Sequence, residues 1–203
     1  SLPGDLHKLW RTRVPGGYHL EYGYSTMGYE IAAGLGVKLA QPERRVYVMV
    51  GDGSYLMMAQ EIATAVQEGI SVTILVLDNH GFSSIGGLSQ SVGCAGFGTR
   101  YRRRTGSGDL DGACVDVDFV ANAASMGAHA VRAATRAQIE AALTEARTRD
   151  GVNVIVVPVD GDQHVEGYES WWEVPVAEVS PLASVQRARK EYEQNRLRPR
   201  HPY

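Results

Sequence analysis

Residues 45 to 81 pass from an apolar stretch through a Gly-Asp-Gly-Ser turn and a helical pattern to a second apolar stretch and an Asp-Asn-His-Gly turn. No other part of the chain limits the fold as tightly. Arg45-Val46-Tyr47-Val48-Met49-Val50 is rich in β-branched residues and reads as a buried strand. Gly51-Asp52-Gly53-Ser54 follows, with Ser54 placed to cap a helix over Tyr55 to Glu68. There Leu56, Ala59, Ile62, Ala63 and Val66 recur at helical spacing, and Gly69 is set to end the helix. Val72-Thr73-Ile74-Leu75-Val76-Leu77 reads as a second buried strand, which delivers Asn79 just beyond its carboxyl end. Strands alternating with helices favour an α/β fold: a doubly wound, mostly parallel sheet with helices on both faces. Ligands of such sheets bind where neighbouring strands release their loops. Asp52 and Asn79, far apart in sequence, are therefore expected side by side at one sheet edge.

Gly51-Asp52-Gly53, followed at this distance by Asn79, resembles the signature of the thiamine diphosphate-dependent enzymes. The motif makes physical sense for that cofactor. A diphosphate needs a hard divalent cation with oxygen ligands, and Mg²⁺ suits a carboxylate, neutral carbonyls, water and phosphate. The resemblance implies that Asp52, the Asn79 side chain and the Gly81 carbonyl hold Mg²⁺. It also implies that Gly51, Gly53, Ser54, His80, Phe82 and Ser83 surround the diphosphate. Glycines let the backbone approach the phosphates, and a helix start points its first N–H groups at the anion. Upstream, Tyr22-Gly23-Tyr24-Ser25-Thr26-Met27-Gly28 resembles the segment beneath the bent cofactor in the same enzymes. By that likeness Met27 supports the two rings, with Ser25 (through its carbonyl) and Thr26 beside it. Methionine suits this position because its thioether is polarizable and packs well on aromatic rings. Read alone, Met27 is an ordinary core residue at the start of a Gly28 to Ala40 helix.

Four further runs narrow the resemblance: Leu6-His7-Lys8-Leu9-Trp10, Tyr18-His19-Leu20-Glu21-Tyr22-Gly23-Tyr24-Ser25, Met49 to Met57, and Gly167-Tyr168-Glu169-Ser170-Trp171-Trp172. Together they resemble the trihydroxycyclohexanedione hydrolase branch of inositol catabolism, which opens a cyclic 1,2-diketone to 5-deoxy-glucuronate. The likeness implies a single cofactor-binding domain over residues 1–203, with 161–203 as a carboxy-terminal extension. Pyrimidine-binding and middle domains have no counterpart in the chain. The glutamate that activates the cofactor in these enzymes is thus expected from a pyrimidine-binding domain or subunit, in a homo- or hetero-oligomer. No catalytic residue is assigned within the chain itself. Two other readings stand beside this one: the equivalent domain of an acetolactate synthase-like carboligase or 2-keto acid decarboxylase, and a non-catalytic module that binds the cofactor or pairs with a partner. Many relatives carry Asn-Asn where this chain has Asp78-Asn79, which adds negative charge beside the expected ligand.

A net charge of −3 gives no reason to expect a nucleic-acid or membrane partner, and 203 residues suffice for one domain with a real core. No apolar run approaches a membrane span. Cys94 and Cys114 lack metal-ligand spacing and read as reduced thiols of a cytoplasmic protein. Further on, the expected elements are a helix over Asp118 to Met126, a strand over Ala128 to Val131, a capping box at Thr135 and Gln138, and a strand over Val152 to Val157. A terminal helix is expected to start at Ser180-Pro181, with Pro181 at its first position, and to run to about Asn195. Gly34-Leu35-Gly36 mimics a dinucleotide fingerprint but lies late in a helix, so close packing explains its glycines better. Gly81 to Gly108 reads as a long loop whose Arg100-Tyr101-Arg102-Arg103-Arg104 run is equally a solvated face or a lid touching substrate. His80 is expected to act mainly through its backbone, and Trp171-Trp172 reads as a packing anchor.

Overall fold

A computed structural model describes residues 2–21, 23–167 and 173–198. Four parallel strands form its sheet: β1 (Tyr47–Gly51), β2 (Val72–Asp78), β3 (His129–Arg132) and β4 (Val152–Pro158), in the order β1-β2-β4-β3. Pairing runs in register from Tyr47 opposite Thr73 to Gly51 opposite Leu77, and from Val72 opposite Val152 to Asp78 opposite Pro158. Gly51 and Asp78 therefore finish neighbouring strands at the same edge.

Alternation along these strands sorts side chains between two layers, because successive residues of a strand point to opposite faces. Val48, Val50, Val72, Ile74, Val76, Val154 and Val156 pack on one face, beneath helices α2 (Tyr29–Ala40), α3 (Asp52–Met58), α4 (Glu61–Gln67) and α6 (Phe119–Ser125). Leu75, Ile155 and Val157, with Met49, Leu77 and Val131, pack on the other against Ile139, Ala142 and Leu143 of α7 (Arg136–Ala146). Helices thus cover both faces, and the central strands are mostly apolar, as a sheet buried on both sides requires, with Thr73, Asp78 and Asn153 as buried polar exceptions.

Thr135 and Gln138 form the reciprocal capping box at the start of α7, and the Asp118 carboxylate caps α6 through the Ala121 N–H at 2.9 Å. Gly34 turns out to be a packing glycine: a Cβ there would fall inside the van der Waals surface of Val48 Cγ2, whereas Gly36 faces open space. Gly34→Ala is expected to push α2 off the sheet at a cost of about 1–3 kcal/mol, outweighing the gain in helix propensity. Gly36→Ala should be neutral or stabilising, and urea unfolding of the two variants checks the contrast.

Several elements differ from the sequence reading. The helix expected over Tyr55 to Glu68 begins at Asp52 and is divided at Ala59-Gln60, where Ile62 and Ala63 bond to carbonyls three residues back. Ser54 therefore lies inside the first turn and caps nothing; the N-cap is Gly51. Gly69 does end α4, with the Ile70 N–H bonded to the Ala65 carbonyl and its own N–H to Val66. The long loop after Gly81 contains a helix, α5 (Ser83–Ser91). A short helix, α1 (Leu2–Leu9), opens the chain, and α8 (Ala183–Arg196) starts past Pro181, which lies outside it. Ser180 organises that approach, its hydroxyl accepting from the Leu182 N–H and its carbonyl from the Gln186 side chain. Tyr22, Tyr168 to Trp172 and the final five residues lie outside the described residues.

Candidate functional site

Asp52 is the first residue of α3 and is fully buried. Its Oδ2 accepts the Gly81 N–H at 2.9 Å, which ties the β1 and β2 turns together, while its Oδ1 has no partner. The buried Asn79 Oδ1 likewise has none. Gly81 presses against the next segment so closely that a Cβ would collide with the Thr99 carbonyl, and its own carbonyl lies 3.3 Å from where a Gly53 Cβ would sit. An unpartnered buried oxygen costs roughly 1–3 kcal/mol, and nearly all such groups are satisfied. One carboxylate oxygen, one amide oxygen and a nearby carbonyl make a donor set suited to a hard divalent cation. Among the described residues no cluster of three His, Cys, Asp or Glu side chains offers a softer metal a place.

Burial pushes the Asp52 carboxyl above its ordinary range, and the Asp78 charge adds to the shift against the Gly81 hydrogen bond that lowers it. The ionised form is thus costly in the folded protein. As pH falls, the folded state takes up this proton before the unfolded chain does, and the cost disappears. Asp52→Asn should accordingly stabilise the metal-free protein by about 1 kcal/mol near neutrality. That advantage should shrink below the raised pKa, which melting curves at several pH values would reveal.

Asp78 is buried as well, with Arg132 Nη1 at 3.9 Å and His80 Nδ1 at 3.5 Å from its carboxylate oxygens. His80 takes a left-handed backbone (φ 60), with its N–H donating to Asp78 Oδ1 at 3.3 Å and its carbonyl accepting from the Tyr101 N–H at 3.0 Å. The loop after β2 is therefore a short ladder against residues 99–101, closed by Phe82 N–H to the Thr99 carbonyl at 2.8 Å. That bond occupies the Phe82 amide, an expected phosphate donor. Ser83 opens α5, whose first intrahelical bond is Gly86 N–H to the Phe82 carbonyl, and the Ser83 Oγ is buried without a partner.

Ser54 joins the upstream segment to this centre. Its hydroxyl accepts the Gly28 N–H at 2.7 Å and donates to the Glu30 carboxylate at 2.8 Å. Glu21 organises the preceding turn by accepting the N–H groups of Tyr24 and Thr26, which hold its carboxyl below the usual range. Ser25 has a positive φ of 52, Ser25 and Thr26 are exposed, and Met27 is half-buried. Glu21 and Glu30 escape a sequence reading because nothing in their spacing marks one as an acceptor of backbone N–H groups or the other as the acceptor of the Ser54 hydroxyl. Gly161 escapes it too, although a Cβ there would crowd Arg100, the Asn79 carbonyl and Ser83 Oγ.

The Arg100 to Arg104 run divides by contact. Arg100 pairs with Asp162, Arg102 donates to the Gly112 carbonyl at 3.1 Å, and Arg104 donates to the Gly108 carbonyl and lies over Phe97. Tyr101 turns inward, edge-on to Phe82 with ring centroids 5.8 Å apart. Its buried hydroxyl has no partner, and burial together with the charges of Asp52 and Asp78 raises its pKa well above the ordinary tyrosine range.

The model of the family described as "Thiamine pyrophosphate enzyme, C-terminal TPP binding domain" matches residues 1–157. The chain belongs to that family, and its parallel sheet, with the Asp52 and Asn79 turns at one edge, is an example of the domain that binds thiamine diphosphate. Among curated proteins it is 46% identical over 189 residues to the 3D-(3,5/4)-trihydroxycyclohexane-1,2-dione hydrolase of Bacillus cereus strain AH820, covering 93% of this chain and 29% of that protein. It is 44% identical over 195 residues to the protein of the same name from Clostridium perfringens, covering 96% of this chain and 30% of the relative. The chain thus spans under a third of the length of these relatives. Among solved structures, a thiamine diphosphate-dependent 4-hydroxybenzoylformate decarboxylase from Rhodococcus jostii RHA1 superposes with a TM-score of 0.54 at 27% identity, over 66% of this chain and 23% of that one.

Proposed function

We propose that this chain is the cofactor-binding part of a thiamine diphosphate- and Mg²⁺-dependent hydrolase that opens trihydroxycyclohexane-1,2-dione to 5-deoxy-glucuronate in the cytoplasmic catabolism of inositol. The carrying observation is identity of 44–46% over 93% or more of the chain with proteins named for that reaction. The pair of unpartnered buried oxygens on Asp52 and Asn79 supports the metal assignment.

In this reading Asp52, Asn79 and the Gly81 carbonyl hold Mg²⁺ on the diphosphate. The N–H groups of Gly53, Ser54 and Ser83 donate to phosphate oxygens, since first-turn amides lack intrahelical acceptors. Met27 supports the cofactor rings, with Ser25 and Thr26 alongside. When bound, thiamine diphosphate supplies the carbon nucleophile for the ketone. This chain orients that group, and the dication relieves the mutual repulsion of Asp52 and Asp78. The activating glutamate and part of the substrate pocket come from a pyrimidine-binding domain or subunit, in an oligomer whose cofactor lies at their interface.

The test is an assay of the natural protein carrying this chain with the cyclic diketone, Mg²⁺ and thiamine diphosphate, following the ring-opened acid by mass. Decarboxylation of aryl 2-oxo acids with the diketone left intact would overturn the reading in favour of a decarboxylase. A polypeptide limited to residues 1–203 is expected to give no measurable turnover of the diketone, and adding the pyrimidine-domain protein should restore it.

A further inference from the structure

Four buried oxygens without partners belong to the elements that meet beyond β1 and β2: Asp52 Oδ1, Asn79 Oδ1, Ser83 Oγ and the Tyr101 hydroxyl. The first three lie in motifs that the cofactor reading already uses. Tyr101 does not: it sits in an arginine-rich segment in which Arg102 and Arg104 bond to the carbonyls of Gly112 and Gly108.

Its position is nonetheless fixed by that centre. The Tyr101 N–H is bonded to the His80 carbonyl at 3.0 Å, and its carbonyl accepts the Val115 N–H at 2.8 Å. The ring stands edge-on to Phe82, and Phe82 in turn fills the space where a Gly53 Cβ would project, 2.6 Å from its Cδ1. Tyr101, Phe82 and Gly53 therefore form a row leading from the paired loop to the start of α3. The hydroxyl is close enough to Asp52 and Asp78 to feel both charges, yet it bonds to neither. A phenylalanine would fill the same aromatic slot without desolvating a hydroxyl, so packing alone gives no reason for the oxygen. Mg²⁺ keeps several waters when it is held by few protein ligands. Such polarised waters are strong donors and need acceptors in a buried site.

Resting on the metal assignment above, we propose that Tyr101 is a further residue of the cation–diphosphate site, its hydroxyl oxygen accepting a hydrogen bond from a water that the cation retains. It positions the metal's hydration shell without being a ligand. Outer partners of this kind change metal affinity by about 10–100-fold when removed.

The experiment is calorimetric titration of Mg²⁺ into the natural protein carrying this chain, at fixed thiamine diphosphate, with Tyr101→Phe and Asp52→Ala compared to wild type. Tyr101→Phe should raise the half-saturating Mg²⁺ concentration about tenfold. Excess Mg²⁺ should restore its affinity for thiamine diphosphate, and its metal-free melting temperature should not fall. Asp52→Ala should lose Mg²⁺-dependent binding. If Tyr101→Phe titrates like wild type while Asp52→Ala does not bind, the Tyr101 inference falls and the metal assignment stands. If Asp52→Ala also titrates like wild type, the metal assignment falls and this inference with it. A loss in Tyr101→Phe that excess Mg²⁺ cannot restore, or one accompanied by a lower metal-free melting temperature, would mark structural damage and overturn the inference.

Discussion

Asp52→Ala is expected to abolish Mg²⁺-dependent binding of thiamine diphosphate while leaving the protein folded and no less stable without metal. Two consequences of the geometry point in opposite directions, which makes the result diagnostic. Asp52 is fully buried, one carboxylate oxygen is unpartnered, and Asp78 lies close enough to disfavour its charge. Removing the side chain takes away a desolvated anion, which stabilises the metal-free protein. It also releases the Gly81 N–H, whose lost hydrogen bond costs about 1–3 kcal/mol, so the two effects nearly cancel. Binding has no such compensation, because the only charged group assigned to the cation is gone. Calorimetry should show no saturable heat in millimolar Mg²⁺, and the melting temperature should stay within a few degrees of wild type. Binding of the cofactor at wild-type affinity by the folded variant would show that the cation lies elsewhere.

The strands and the Asp52 and Asn79 turns were legible in the sequence because long-range and local signals agree there. A sheet buried on both faces needs strongly apolar runs, and Val48 to Val50, Val72 to Leu77 and Val152 to Val157 supply them, broken only by Thr73 and Asn153. The capping box at Thr135 and Gln138 was readable for the same reason: its chemistry is confined to four residues. What stayed hidden depends on partners remote in sequence. Ser54 has the composition of a cap, but its hydroxyl is taken by Gly28 and Glu30. The Gly- and Ser-rich stretch from Ser83 has poor helix propensity, yet it forms α5, with Gly86 beside Thr99 and the far end packed towards α8. Gly93 lies against the Ser184 backbone there, and the Ser184 hydroxyl donates to the Gly93 carbonyl at 2.7 Å. Tyr101 looked like part of a basic face because four arginines surround it, and only the ladder with His80 to Phe82 turns it inward.

The same row of contacts sets the expected outcome at Gly53. A Cβ there would lie 2.6 and 2.7 Å from two carbons of the Phe82 ring and 3.3 Å from the Gly81 carbonyl. Real Cβ atoms do not come that close to a ring, so Phe82 has to move. Its neighbour Tyr101 is held edge-on and pinned through its backbone at both the His80 carbonyl and the Val115 N–H, leaving little room for retreat. Gly53→Ala is therefore expected to cost about 1 kcal/mol and Gly53→Val about 1–3 kcal/mol, the larger figure reflecting the branched side chain in a filled space. The effect on the cofactor should exceed the effect on stability. Displacing Phe82 shifts the ladder that carries Asn79 and Gly81, and the new side chain also stands between the α3 amides and any phosphate they would meet. Gly53→Val should lose thiamine diphosphate binding altogether, while Gly53→Ala should weaken it by an amount that mutating Phe82 to the smaller leucine partly restores. Isothermal titration of the two single variants and the Gly53→Ala, Phe82→Leu pair measures that rescue. Wild-type affinity in Gly53→Val would mean that the phosphates do not approach this turn.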